Sequence, residues 1–320
     1  MTPTEMNAQR HPGGIMSACC VPWDGDGRFA EAIFRRGVRA TLTAGTKHLY
    51  VFGTAGEGYA VTDRQFDEIV AAFVDEMRQA GAEPMVGVIS LSLGTVLERI
   101  ERCRDAGVRH FQISLPAWGA LGERELFDFF DRVCGRFPDC RFLHYNLPRA
   151  KRLVTGKEYG RLAEAHPNLV ATKNTGDSLS HIQSLLEHAP QLRHFLSETG
   201  YVYGSRFAEC GILASFVTNW PKLRALWDAG RRGDFDTLAA IQHEVNVVLR
   251  TLFEAVPEGR IDGAYDKVFA KMYDPTFPLR LLPPYAGSSD DEYRAFVRLL
   301  GERLPDWVPA AARPLMEERP

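Results

Sequence analysis

Short apolar or β-branched runs alternate along this chain with longer stretches of helical spacing. The runs fall at 15–21, 48–53, 85–90, 110–115, 141–146, 169–174, 194–198 and 212–218. Each is short and bounded by turn residues, which reads as a buried strand. The stretches between them carry helix starts. Thr62-Asp63-Arg64 precedes Phe66, Ile69, Val70 and Phe73, and Ser92 precedes Val96 and Ile100. Glu123 precedes Leu126, Phe129 and Phe130, and Ser178 precedes Ile182, Leu185 and Leu186. A polar start followed by apolar residues three and four apart predicts an amphipathic helix laid over a sheet. Gly and Pro mark the junctions, as at Ala106-Gly107, His166-Pro167 and Cys210-Gly211.

Eight such units in series predict a parallel sheet and an α/β fold. Eight is also the number that closes a (β/α)8 TIM barrel, which is the expected architecture. A doubly wound open sheet is the rival, weakened because no G-x-G-x-x-G follows the first strand. Past Gly233 the pattern is helical only. Leu238, Ile241, Val245, Val248, Leu249 and Leu252 keep helical spacing over 235–253, and two more helices are expected at 265–272 and 291–304. The expected organisation is a loose polar tail over 1–13, a barrel over 14–233 and a C-terminal helical appendage over 234–320.

Composition narrows the function classes. The 320 residues are 45% hydrophobic and 25% charged with a formal net charge of -3, which fits a globular protein and gives no footprint for nucleic acid or an anionic membrane. No apolar run approaches the roughly 20 residues that span a bilayer, and the polar start has no signal-peptide core, so a cytoplasmic location is expected. The six cysteines contain no C-x-x-C pair and read as core hydrophobes in a reducing compartment. The nine histidines form no H-E-x-x-H pattern, so no metal is expected.

Chemistry gathers at the predicted C-terminal strand ends, where barrels of this kind place their sites. Lys173 sits in the apolar run Leu169-Val-Ala-Thr-Lys173-Asn-Thr-Gly-Asp177. A buried ammonium is costly, and a lysine that loses its proton becomes a nucleophilic amine able to form Schiff bases with carbonyl compounds. An ion pair between Lys173 and Asp177 is the structural alternative. Tyr145 ends the fifth run and is a candidate proton-transfer group; a core tyrosine is its plainer reading. Thr54 and Ala55 lie in Gly53-Thr-Ala-Gly56, a glycine-flanked loop whose N–H groups can receive a carboxylate, or an ordinary βα turn.

Taken in order, G-T-A-G-E, Y-N-x-P and K-x-x-G-D resemble the dihydrodipicolinate synthase / N-acetylneuraminate lyase family of class I aldolases. The likeness covers most of the chain, including the opening Gly14-Ile-Met-Ser-Ala-Cys-Cys-Val-Pro-Trp-Asp-Gly, the eighth run Gly211-Ile-Leu-Ala-Ser-Phe-Val-Thr-Asn219 and the proline-rich Leu279-Arg-Leu-Leu-Pro-Pro-Tyr285. It implies a barrel with C-terminal helices, assembled as a homotetramer (a dimer of dimers). It implies that Lys173 forms the Schiff base with a 2-oxo acid such as pyruvate, that Tyr145 moves protons, and that Thr54 and Ala55 receive the carboxylate. Leu213 matches a position whose backbone carbonyl lines the pocket. The iminium is itself the electron sink, so the reaction with an aldehyde partner needs no cofactor.

Three departures bear on the substrate. The family loop has a second hydroxyl residue where Ala55 stands. The synthases have a tyrosine, reaching a neighbouring subunit, where Trp118 stands, and an arginine at the register of Ala150. The lysine-biosynthesis role is therefore not expected. Pro116-Ala-Trp118 and K-x-x-G-D resemble the hydratase-aldolases of aromatic breakdown instead, where Trp118 would stack on a planar substrate; packing or an interface is its other reading. Arg149, in the run Arg149-Ala-Lys-Arg152, would bind an anionic group of the second substrate, or simply be solvated. A Schiff-base dehydratase or deaminase of 2-oxo-3-deoxy acids, and a non-catalytic binding homologue, complete the alternatives.

Overall fold

The computed structural model describes residues 10–176, 178–214 and 219–316. Eight strands close a barrel in the order β1 to β8: Ile15–Cys19, His48–Val51, Met85–Gly87, His110–Ile113, Arg141–Asn146, Leu169–Asn174, Arg193–Leu196 and Gly211–Ala214. All neighbours are parallel, and β1 pairs with β8 through Met16 and Leu213. The fold is a (β/α)8 barrel with C-terminal helices. β5 and β6 have the predicted bounds. Most others are shorter at their C-terminal ends, because the chain leaves the ladder there into loops that form the mouth. The last part of the predicted eighth strand, 215–218, lies outside the described residues.

Helices α1 (Glu31–Thr43), α2 (Asp63–Gln79), α3 (Leu93–Asp105) and α4 (Glu123–Phe130) follow the first four strands. α5 (Gly156–Ala165), α6 (Leu179–His188), α7 (Glu198–Gly204) and α8 (Trp220–Arg232) follow the rest. The start signals act as read: Thr62 makes a capping box with Gln65, and Ser92 and Ser178 each accept an N–H of the first turn. α4 runs on into a π-helical turn at Asp131–Gly135.

Strand alternation sorts the side chains. Met16, Tyr50, Leu143, Ala171, Phe195 and Leu213 pack inside the barrel. Phe111, Ile113 and Phe142 face outward into the layer shared with Phe66, Phe73 and Phe130. The C-terminal helices α9 (Phe235–Ala255), α10 (Asp262–Tyr273) and α11 (Asp290–Arg303) share a second outer core with α8. The six cysteines are unbridged, and all but Cys20 are buried. No helix among the described residues is long and apolar enough to cross a membrane.

Of the segment expected as a loose tail, residues 1–9 lie outside the described residues, and residues 10–13 plug the N-terminal end of the barrel. The His11 N–H donates to the Val170 carbonyl at 3.1 Å, and the His11 carbonyl accepts the Arg193 Nε–H at 3.2 Å. The His11 ring packs edge-on against His48 (5.1 Å between centroids) and Phe195 (5.3 Å). Burial pushes the His11 imidazole down to about 3, so that ring is neutral. Composition reads this segment as polar because an imidazole buried without charge still counts as a polar residue.

Candidate active site

β5 and β6 run side by side with Tyr145 opposite Lys173. Both side chains point inward and both are buried. The Lys173 Nζ lies 3.7 Å from the centre of the Tyr145 ring and 4.8 Å from that of Tyr50. Its one direct hydrogen bond among the described residues is with Tyr50 Oη, at 2.6 Å. As an ammonium the lysine would donate to that oxygen. As a neutral amine it would accept the phenol's proton, which has no other acceptor among the described residues. Asp177, the possible ion-pair partner, lies outside the described residues.

The amine is poised to lose its proton. Burial lowers it from 10.5 to about 7, opposed by the carboxylates of Asp266 and Asp262 and assisted by Arg149. Tyr145 is pushed up to about 12, chiefly by burial, against the opposing effect of Thr54. Its hydroxyl is 3.5 Å from Thr54 Oγ1, which puts the Gly53–Gly56 loop beside the lysine. The turn closes on itself, with the Glu57 N–H donating to the Thr54 carbonyl at 3.1 Å and the Gly58 N–H to the Gly53 carbonyl at 3.3 Å. The Thr54 and Ala55 N–H groups have no acceptor among the described residues. Such free main-chain donors suit a carboxylate.

The loop is held from below by a fully buried carboxylate. Glu57, at φ 54, accepts the Trp23 indole N–H (2.7 Å), the Lys267 ammonium (2.6 Å) and the Leu282 N–H (2.7 Å). Strand β2's loop, helix α10 and the proline-rich segment are thereby joined at one residue.

Lys173, Tyr145, Thr54 and Ala55 thus converge, and Leu213 lies in the same barrel interior. Trp118 is 84% exposed and does not pack in the core; its carbonyl accepts the Lys151 ammonium at 2.8 Å. The Arg149 guanidinium is bidentate on Asp262 at 2.7 and 3.0 Å. Arg152 is taken up by Glu158 and the Leu121 carbonyl, so the basic run is used internally.

Tyr50 and Asp266 escaped the sequence reading. Asp266, half-buried on α10, shares a cavity of about 770 Å³ with Ala18, Cys20 and Ala214. Burial, then Asp262, pushes its carboxyl up to about 8, with Lys173 opposing. Tyr50 was findable from strand parity, since it alternates with outward-facing Leu49 and Val51. Among the described residues no three His, Cys, Asp or Glu side chains are grouped for a metal.

Comparison with known proteins agrees with this geometry. A profile of the Dihydrodipicolinate synthetase family matches residues 11–301. The 4-hydroxy-tetrahydrodipicolinate synthase of Thermus thermophilus is 28% identical over 165 residues, a match that spans 51% of this chain and only 54% of that protein. The synthase of the same name from Exiguobacterium sibiricum is 22% identical over 83% of this chain and 91% of its own. In fold, the chain is similar to YagE, a prophage protein of the dihydrodipicolinic acid synthase family from E. coli K12 solved with pyruvate (TM-score 0.79, 17% identity, 91% of this chain and 98% of that one). It is also similar to a catalytic lysine mutant of the Ruminococcus gnavus sialic acid aldolase (TM-score 0.80, 15% identity, 98% and 100%). With the barrel, the lysine at its mouth and a family match over nearly its whole length, the chain belongs to the dihydrodipicolinate synthetase family.

Proposed function

We propose that this protein is a class I carbon–carbon lyase that joins a pyruvate-type 2-oxo acid to an aldehyde, or cleaves the joined product, through a Schiff base at Lys173. The observation that carries the reading is the buried Lys173 amine, lowered to about 7 and enclosed by two tyrosines beside a loop of free N–H groups.

The neutral amine attacks the C2 carbonyl and forms a carbinolamine. The oxygen leaves as water once it has gained protons, and Tyr145 with Thr54 is placed to supply one. The C=N–H iminium left behind draws electrons from C3. Loss of a C3 proton, or rupture of the C3–C4 bond, then gives an enamine. Thr54 and Ala55 hold the carboxylate through their N–H groups.

The synthase activity named for the relatives is not part of the proposal. Ala150 offers no guanidinium to a second carboxylate, and Arg149 is engaged by Asp262. A partner aldehyde without an anionic group fits the rim better.

The test is to incubate the protein with pyruvate and borohydride and map the reduced adduct by mass spectrometry. An adduct confined to Lys173 is expected; a folded protein with no adduct removes the proposal. The initial trapping rate should rise with pH and level off above about 7, because burial opposes the ammonium and the neutral amine is the nucleophile. A rate still climbing towards pH 10 would show an ordinary surface-like lysine. Tyr145→Phe should lower turnover by about 10²- to 10⁴-fold while leaving Lys173 trappable at long times. Undiminished turnover in that variant would assign the proton transfer elsewhere.

A further inference from the structure

We propose that Gln112 is a substrate-binding residue of this site, its side-chain amide holding the carboxylate of the 2-oxo acid; the assignment rests on the Schiff-base reading above. Gln112 is on β4, whose outward positions are Phe111 and Ile113. Its own side chain therefore points into the barrel. It is 0% exposed, and neither its Oε1 nor its Nε2 has a hydrogen-bond partner among the described residues. An unpaired amide in a barrel interior is costly, and an apolar side chain would fill the same space without that cost. An amide there without a protein partner points to a ligand group that meets its NH₂ end.

Its location says which group. Gln112 pairs in register with Leu143, two residues before Tyr145. A Cβ placed on Gly53 would stand 3.4 Å from Gln112 Nε2 and 3.4 Å from Tyr50 Oη. The amide thus lies beside the start of the Gly53–Gly56 loop, as does the hydroxyl that holds Lys173 Nζ at 2.6 Å. The loop itself is one hydroxyl short, since Ala55 carries only a methyl group. The Gln112 NH₂ group is an uncharged donor on the same side, suited to a carboxylate oxygen. Lacking charge, it would not raise the ammonium's cost beside Lys173 as a second cation would.

The experiment is borohydride trapping on the full chain with Gln112→Leu and Gln112→Met, titrating pyruvate and, separately, acetone, a ketone of similar size without a carboxylate. The pyruvate concentration giving half-maximal adduct should rise about tenfold or more, with trapping by acetone unchanged and the melting temperature equal or higher. Gln112→Glu, which keeps the shape, should weaken pyruvate further as pH rises. Unchanged half-saturation by pyruvate in a folded variant overturns the assignment and leaves Gln112 a structural residue. Equal losses for pyruvate and acetone overturn it too, since they mark general distortion of the site. If the leucine variant does not fold, the methionine and glutamate variants decide. A wild-type chain that forms no adduct with pyruvate sinks the Schiff-base reading and this assignment together, whereas an adduct insensitive to Gln112 sinks this one alone.

Discussion

Replacing Lys173 with methionine is expected to abolish turnover, by at least about 10⁴-fold, and to leave the fold intact. The loss is large because, on the proposed mechanism, the amine is the bonding atom, not an aid to it. Among the described residues no other amine is placed to substitute. Lys267 is the other fully buried lysine of the region, and its ammonium is bound to Glu57. Stability should move in two opposing ways. Methionine removes the cost of burying an ammonium, but it strands the Tyr50 hydroxyl, which costs about 1–3 kcal/mol. Lys173→Met with Tyr50→Phe should therefore be more stable than Lys173→Met alone. The pH dependence is signed as well. The folded lysine sits near 7 against 10.5 when exposed, so the unfolded chain holds the extra proton between those values. The wild-type penalty is full below about 7 and fades as pH rises towards 10. The stability of the methionine variant relative to wild type should fall over that window, as read by denaturant melts. Retained turnover in Lys173→Met would end the Schiff-base mechanism.

Glu57→Gln is expected to destabilise the protein by about 3–5 kcal/mol, a fall on the order of 10 °C in melting temperature. The carboxylate is fully buried and accepts from Trp23, Lys267 and Leu282. Neutralising it leaves the Lys267 ammonium buried without a counter-charge. Lys267→Met should be costly for the converse reason. The double variant Glu57→Gln/Lys267→Met should recover part of the loss, with a coupling of about 0.5–3 kcal/mol. Strictly additive losses would show that the two groups do not act as a pair. Because Glu57 ends the Gly53–Gly56 loop, half-saturation by pyruvate should weaken in the single variants as well.

What was legible in the chain followed from local pattern. β5 and β6 stand out because their residues are almost uniformly buried. Lys173 was conspicuous for the same reason, as a cation in an apolar run. The contacts that hold the site are not local. Lys267 and Glu57 are 210 positions apart, and in sequence Lys267 reads as one more charge on an amphipathic helix. Arg149 and Asp262 are separated by 113 positions, so a run that reads as solvated or anion-binding is neutralised from a distant helix. Gln112 is an intermediate case. The alternation His110-Phe-Gln112-Ile-Ser114 does mark polar residues on one side of β4, and only closure of the sheet shows that this side is the interior.

The plug built from His11 gives the barrel a floor. With that end covered, the proposed mechanism has both reactants enter from the opposite end, the deeper berth going to the keto acid bonded to Lys173. Its aldehyde must then arrive second and, in the cleavage direction, depart first. Inhibition by excess aldehyde, competitive against the keto acid, is the kinetic mark such a dead-end chamber should leave.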